Sequence, residues 1–493
     1  MLDAPYGPRF GGPHRHPPVI TPPAPAQGDA ARRTRVLLTL TAVCVAIALA
    51  GGVLAYRFVM DQRFPNAWDP RVAPMAAFVE RATGQTFDHP IYVRFLADAE
   101  FNELITDSPE SLTESERDAL EQQEALGRAF GWYDGTTDVQ EEQNKVYGAG
   151  VLALYNFASQ QVIVRSKDPN PQTLPVQLRV TIAHELVHAL QDQRLDIRDL
   201  QATVDTSEAQ AAFTALVEGH AVNIETAYLY SLPESEQDAY FDFTEQVMGD
   251  VDEATADTAP VLSVNLEAPY VVGPALVRAA QVSSGGIEQL YLKPPIAQDQ
   301  VLDPRAYFAD DRPEATTEPE VAGEVLDRGS VGIVRLYLTL ASVLDPAEAW
   351  SAALGWGNDT YVLHRPTPEG PACVSWNIYA DDANGAAALR RALTAWADDR
   401  PKQSSVRVGA TNDPINITMC DPGVTVRQEL VAESAIDYFY VRASLLDALI
   451  GRSGDLKTAW CATDELMRTE SVPDLQEPDD AVLERVSAAI AAC

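Results

Sequence analysis

Val180-Thr-Ile-Ala-His184-Glu185-Leu-Val-His188-Ala-Leu-Gln-Asp192 is the stretch from which the rest of the chain can be read. His184 and His188 lie four residues apart, which puts both imidazoles on one helix face, one turn from each other. That spacing lets two ring nitrogens reach one tetrahedral ion at about 2.0–2.1 Å. Glu185, next to the first histidine, stands where it can take a proton from a water activated by the ion. Val176, Leu178, Val180, Ile182, Ala183, Leu186, Val187, Ala189 and Leu190 make the segment apolar nearly all round, the pattern of a buried helix. Two histidines and a glutamate inside such a helix need partners. The pattern predicts a helix over about 175–193.

A third ligand has to come from elsewhere. Asp205-Thr-Ser-Glu208 is a capping pattern that opens a second helix, expected to run to about residue 230. Its apolar stripe is Ala211, Ala215 and Val222, with Ala212, Leu216 and Gly219 alongside, and Glu218 falls in the middle of it. A carboxylate there is costly unless paired or metal-bound. Glu218 is therefore the expected third ligand, and Gly219 beside it would let another helix approach closely. His220 is the rival; a two-residue offset on a helix argues against both binding one ion. The HExxHxxGxxH arrangement is excluded, because Gln191 and Arg194 occupy the required positions. Asp192 could orient a ligand histidine.

The 493 residues suffice for two or three domains with a sizeable core. Net charge is −36; Arg9, Arg15, Arg32, Arg33 and Arg35 against Asp3 and Asp29 give residues 1–35 a charge of +3, leaving −39 on residues 36–493. So acidic a body argues against nucleic acid and anionic lipid surfaces as partners. Residues 1–35, rich in Pro, Gly and Ala, read as a disordered cytoplasmic tail. From Val36 to Tyr56 no residue is charged, long enough for a single transmembrane helix within 36–60. Arginines precede it, so the N-terminus is expected in the cytoplasm and the body outside, on an uncleaved anchor. Four cysteines, Cys373, Cys420, Cys461 and Cys493, fall in the last quarter without CxxC spacing. Outside the cytoplasm they suggest two disulfides; Cys373–Cys420 and Cys461–Cys493 are favoured, each pair lying on segments read as neighbours.

At this point the chain resembles gluzincin-type zinc metallopeptidases. In these, HExxH is followed on a later helix by a glutamate ligand in an EGxA pattern, here Glu218-Gly219-His220-Ala221. The run from His184 to Gln193 is similar to a bacterial exported subgroup, and weaker similarities continue through Pro269-Tyr270-Val-Val-Gly273 to Gly355-Trp-Gly-Asn-Asp359. The resemblance implies zinc as cofactor, His184, His188 and Glu218 as ligands, and Glu185 as general base. It also implies a Tyr or His donor to the oxyanion, for which Tyr270 is the candidate. The implied function is a membrane-anchored endopeptidase acting on a peptide or protein substrate in the cell envelope. The alternative is a non-catalytic, metal-stabilised binding or assembly module.

Around this centre, 91–95 reads as a strand, 146–155 and 161–165 as a hairpin, and 108–130 as a capped helix. The strand just ahead of the metal helix is where an extended peptide could add. Residues 231–267 read as an acidic solvated loop, with a calcium site at 249–257 as a lesser reading. Further on, 331–344 reads as a buried helix; 360–364, 373–379, 405–408 and 415–420 as strands; and 384–397, 433–450, 457–467 and 481–492 as helices. The expected fold class is α+β: a zincin-like metallopeptidase domain over 69–345 and a small C-terminal α/β domain over 346–493, preceded by the transmembrane helix.

Overall fold

The computed structural model describes residues 64–106, 112–204, 206–410 and 414–493. The expected tail at 1–35 and span at 36–60 lie outside the described residues. Helices dominate and the strands form two separate sheets, so the expected α+β class holds. The helices used below are α1 (Ala73–Thr83), α2 (Glu114–Phe130), α3 (Val139–Gly150), α4 (Val176–Leu195), α5 (Ser207–Tyr230), α6 (Glu234–Thr255), α7 (Pro260–Val282), α8 (Ile333–Ala341), α9 (Ala383–Asp399), α10 (Glu433–Ser453), α11 (Leu456–Thr469) and α12 (Asp480–Ala492).

The first sheet has three strands, β1 (Val93–Leu96), β2 (Ala153–Asn156) and β3 (Gln161–Arg165), in the order β1-β3-β2. β1 runs parallel to β3, and β2 and β3 form the expected hairpin. Val162 and Val164 of β3, Met75 and Val79 of α1, Val180 and Ile182 of α4, and Ile224 of α5 share one core, which seats α4 against the sheet. Three expectations are corrected. Residues 146–150 are helical, and the strand starts only at Ala153: the Asp138 side chain caps Glu141 N–H and starts α3, which runs through Val146 before Gly148 and Gly150 end it. β3 has neighbours on both sides, so β2 is the strand with an edge to offer on the side of α4. Residues 234–255 form helix α6 instead of a loop, because Tyr240, Phe243, Val247 and Val251 recur at helical spacing and rest half-buried on the body. The capped helix α2 opens at Thr113, whose hydroxyl accepts from Glu116 N–H while the Glu116 carboxylate accepts from Thr113 N–H.

The second sheet is antiparallel, built from β4 (Glu324–Gly329), β5 (Trp356–Arg365), β6 (Cys373–Ala380), β7 (Arg407–Val408) and β8 (Ile415–Cys420) in the order β4-β5-β6-β8-β7. Both disulfides are present as expected: Cys373–Cys420 joins directly opposed residues of β6 and β8, and Cys461–Cys493 ties α11 to the end of the chain. β4 comes from ahead of residue 346, and one continuous core joins Phe130 of α2, Leu216 of α5, Leu276 of α7, Trp376 of β6 and Phe439 of α10. The expected boundary at 345/346 thus falls within a shared core. α7 is long and apolar enough to cross a membrane by length and composition, but it is packed here between α5 and α10.

The start of α5 is fixed by a buried acid. Glu208 lies against Gly332, whose φ of 78° suits glycine, and a Cβ there would sit 1.9 Å from Glu208 Oε1. Burial, and then the neighbouring Asp359, push the Glu208 carboxyl up to about 8. A carboxyl held at about 8 instead of 4.5 favours folding fully below pH 4.5 and withdraws roughly 3–5 kcal/mol of that as pH rises to 8. Glu208→Gln is therefore expected to match the wild type in Tm near pH 4.5 and exceed it at pH 8. Thermal unfolding across that range checks this, and parallel curves would refute it.

Candidate metal centre

α4 is buried along most of its length, and its His184, Glu185 and His188 are all under one-tenth exposed. α5 crosses it and carries Glu218 to the same point. His184 Nε2 and His188 Nε2 are 3.1 Å apart, and Glu218 Oε2 lies 3.3 Å from the first and 3.2 Å from the second. A tetrahedral ion with ligands at about 2.0–2.1 Å separates them by about 3.3–3.4 Å. The three atoms therefore already stand close to one face of a zinc tetrahedron. Among the described residues this is the one His/Cys/Asp/Glu group with such spacing.

The far side of each ring fixes its tautomer. His184 Nδ1 faces Glu225 Oε2 at 2.9 Å, a pure acceptor, so Nδ1 carries the proton and donates. His188 Nδ1 faces Gln191 Oε1 at 2.9 Å. The Gln191 amide cannot be turned round, because its Nε2 donates to Val217 O and to Tyr291 Oη, both at 3.0 Å. Both Nδ1 atoms are thus donors, and both Nε2 lone pairs point at the Glu218 carboxylate. Three acceptors so close together call for a cation between them. Protons, the competing positive charge, are drawn to the same place. Burial works against a charged His184, yet hydrogen bonds to Glu218 and Glu225 outweigh it and raise its pKa well above the ordinary value. Burial also opposes charge on Glu218, but the two histidines hold its carboxyl far below the usual range.

Glu185 sits outside the triangle and accepts from the backbone N–H of Tyr155 in β2. Burial, helped by the Glu218 charge, raises its pKa against the pull of the two histidines, which suits a group that takes and returns a proton. Tyr270, on α7, stacks its ring on His184 with centroids 5.9 Å apart and is 39% exposed. α7 reaches this close because Gly219 and Gly273 meet without side chains, and Pro269 and Pro274 interrupt its hydrogen bonding on either side of Tyr270.

One expectation fails here, and the rival ligand stays out of the site as expected. Asp192 orients neither histidine; it accepts from Tyr155 Oη at 2.8 Å and from Arg198 Nε at 3.2 Å, so it ties α4 to β2. His220 does not join the triangle: it accepts from Tyr291 Oη at 2.9 Å, and burial, with the neighbouring His188, lowers its pKa to about 4. The orienting groups are instead Glu225 and Gln191. Glu225 was readable in principle, since it lies seven residues, two turns, after Glu218 and so on the same face. Gln191, one turn after His188, had the same signal. Comparison of the chain with protein-family models, with curated proteins and with solved structures finds no match.

Proposed function

We propose that the body is a zinc-dependent endopeptidase of gluzincin type with a zincin-like catalytic fold, held at the cell membrane by residues 36–60 with its body outside the cytoplasm. The observation that carries this is the triangle of His184 Nε2, His188 Nε2 and Glu218 Oε2 at 3.1–3.3 Å with both Nδ1 protons committed elsewhere. The residues fit zinc: two neutral imidazoles and one carboxylate, leaving a fourth position. When bound there, zinc lowers the pKa of a water toward neutrality and polarises a carbonyl. Glu218 keeps 15% of its side chain exposed, so water reaches the site. Glu185 accepts the proton of the attacking water and returns it to the leaving amine. Tyr270, over the His184 ring, is placed to donate to the developing oxyanion.

A peptide substrate is favoured by β2. Its Tyr155 N–H is directed at Glu185, so the strand edge that β3 does not use faces the site. An extended peptide paired there would bring its carbonyl carbon beside the general base. The test is direct. The full chain should hold one zinc, hydrolyse a quenched-fluorescent peptide library, lose that activity to a chelator and regain it with zinc. Zinc-loaded protein inert toward every peptide would overturn the reading.

A further inference from the structure

Helix α6 is attached to the body differently from the rest. Among the described helices longer than eight residues it alone has no buried residue. It rests on α3 and α4 by a half-buried stripe, Tyr240, Phe243, Val247 and Val251. Eight carboxylates and no Lys or Arg lie along its 22 residues, so it has no internal ion pairs to hold it helical. Its ends are anchored: α5 leads into it through the turn at Leu232, and beyond it Ala259 N–H donates to Glu142 Oε2 at 2.7 Å. Between those anchors, Glu236 pairs with Arg179 of α4, and Tyr240 Oη donates to Glu225 Oε1 at 3.2 Å. The other oxygen of that carboxylate is the one that holds His184 Nδ1 at 2.9 Å.

We propose that Tyr240 is a positioning residue for the metal centre, so that docking of α6 fixes Glu225 against His184 and undocking releases it. This rests on the metal-binding reading above. A carboxylate gripped at both oxygens keeps one orientation, and so does the imidazole it holds. Without the Tyr240 hydroxyl, Oε1 of Glu225, whose side chain is already 22% exposed, turns to water and the His184 ring gains freedom. Groups that orient metal ligands typically change metal affinity 10–100-fold. Tyr240 acts one hydrogen bond further out, which places its effect near the lower end. A helix with so little burial opens locally without unfolding the body. Ion release is then set by how often α6 lifts.

Tyr240→Phe tests this in the full chain, since it keeps the ring and removes only the hydroxyl. Zinc transfer to a chromophoric chelator should quicken about tenfold. The visible absorption of the cobalt(II)-loaded protein should shift. Amide hydrogen exchange over 234–255 should be faster than in α5 in the wild type and rise about tenfold further in the variant, while Tm of the body stays put. A tyrosine with a merely structural role would alter exchange but leave the cobalt spectrum and zinc release unchanged, and that result overturns the proposal. So does a wild-type α6 as protected as α5. A wild type that takes up neither ion sinks this proposal together with the metal reading; one that binds both and matches Tyr240→Phe sinks this proposal alone.

Discussion

Glu185→Gln should abolish peptide hydrolysis while one zinc per chain stays bound. The amide is isosteric with the carboxylate, and its oxygen can still accept from Tyr155 N–H. The three ligand atoms are untouched, because Glu185 lies outside their triangle. What disappears is the only proton carrier in the proposed step. General acid–base catalysis is worth about 10²–10⁴-fold, and Glu185 is used twice, so a loss of about 10⁴-fold or more in kcat is expected. The fold should not suffer: burial raises the Glu185 pKa, and removing a buried carboxyl relieves a desolvation cost. Glu218→Ala is the contrast, expected to lose the zinc and the activity together. Zinc content, Tm and kcat measured on both variants separate the cases. A Glu185→Gln residual rate within tenfold of wild type would remove Glu185 from the mechanism.

Gly273→Val should prevent folding of the body, and Gly273→Ala should destabilise it by about 3 kcal/mol or more. A Cβ on Gly273 would lie 1.9 Å from Ala215 O, and one on Gly219 would lie 2.2 Å from the Gly273 carbonyl carbon. Both contacts are with backbone, so no side-chain rotation relieves them; α5 and α7 must move apart. That separation would carry Glu218 away from the histidines and Tyr270 away from His184, so zinc content should fall along with Tm. Gly148→Ala is the control. Nothing lies within 4 Å of its would-be Cβ, and alanine in α3 should stabilise by about 1 kcal/mol. Equal Tm for Gly273→Ala and wild type would show that the two helices are not held at this distance.

The parts of the site that follow from spacing along one helix were legible. His184 and His188 share a face of α4, and Glu218 sits in an apolar stripe where a carboxylate needs a reason; the structure brings the three together. Gly219 was legible for the same kind of reason, as a missing side chain beside a buried charge, and Gly273 is what it meets. The disulfide pairs followed from segments expected to be adjacent. Contacts between distant segments were not legible. Tyr291 reaches Gln191 and His220 from far along the chain, and Tyr155 holds Asp192, for which the sequence offered an orienting role beside a histidine. α6 was hidden by its charge: eight carboxylates read as a solvated loop, and the four half-buried apolar residues of its stripe, Tyr240, Phe243, Val247 and Val251, are too few to dominate its composition.

The stretch from Ala215 to Glu225 answers to several neighbours at once. The backbone of Ala215 and Gly219 meets Gly273; Glu218 faces the histidines; His220 accepts from Tyr291; Asn223 donates to Pro274 O and accepts from Arg278; Glu225 is divided between His184 and Tyr240. These demands concern shape, charge and proton position in turn, and no single replacement residue meets two of them. Mutational tolerance should therefore collapse over these six positions, and a deep mutational scan would mark them out even if it were scored for abundance with the chemistry ignored.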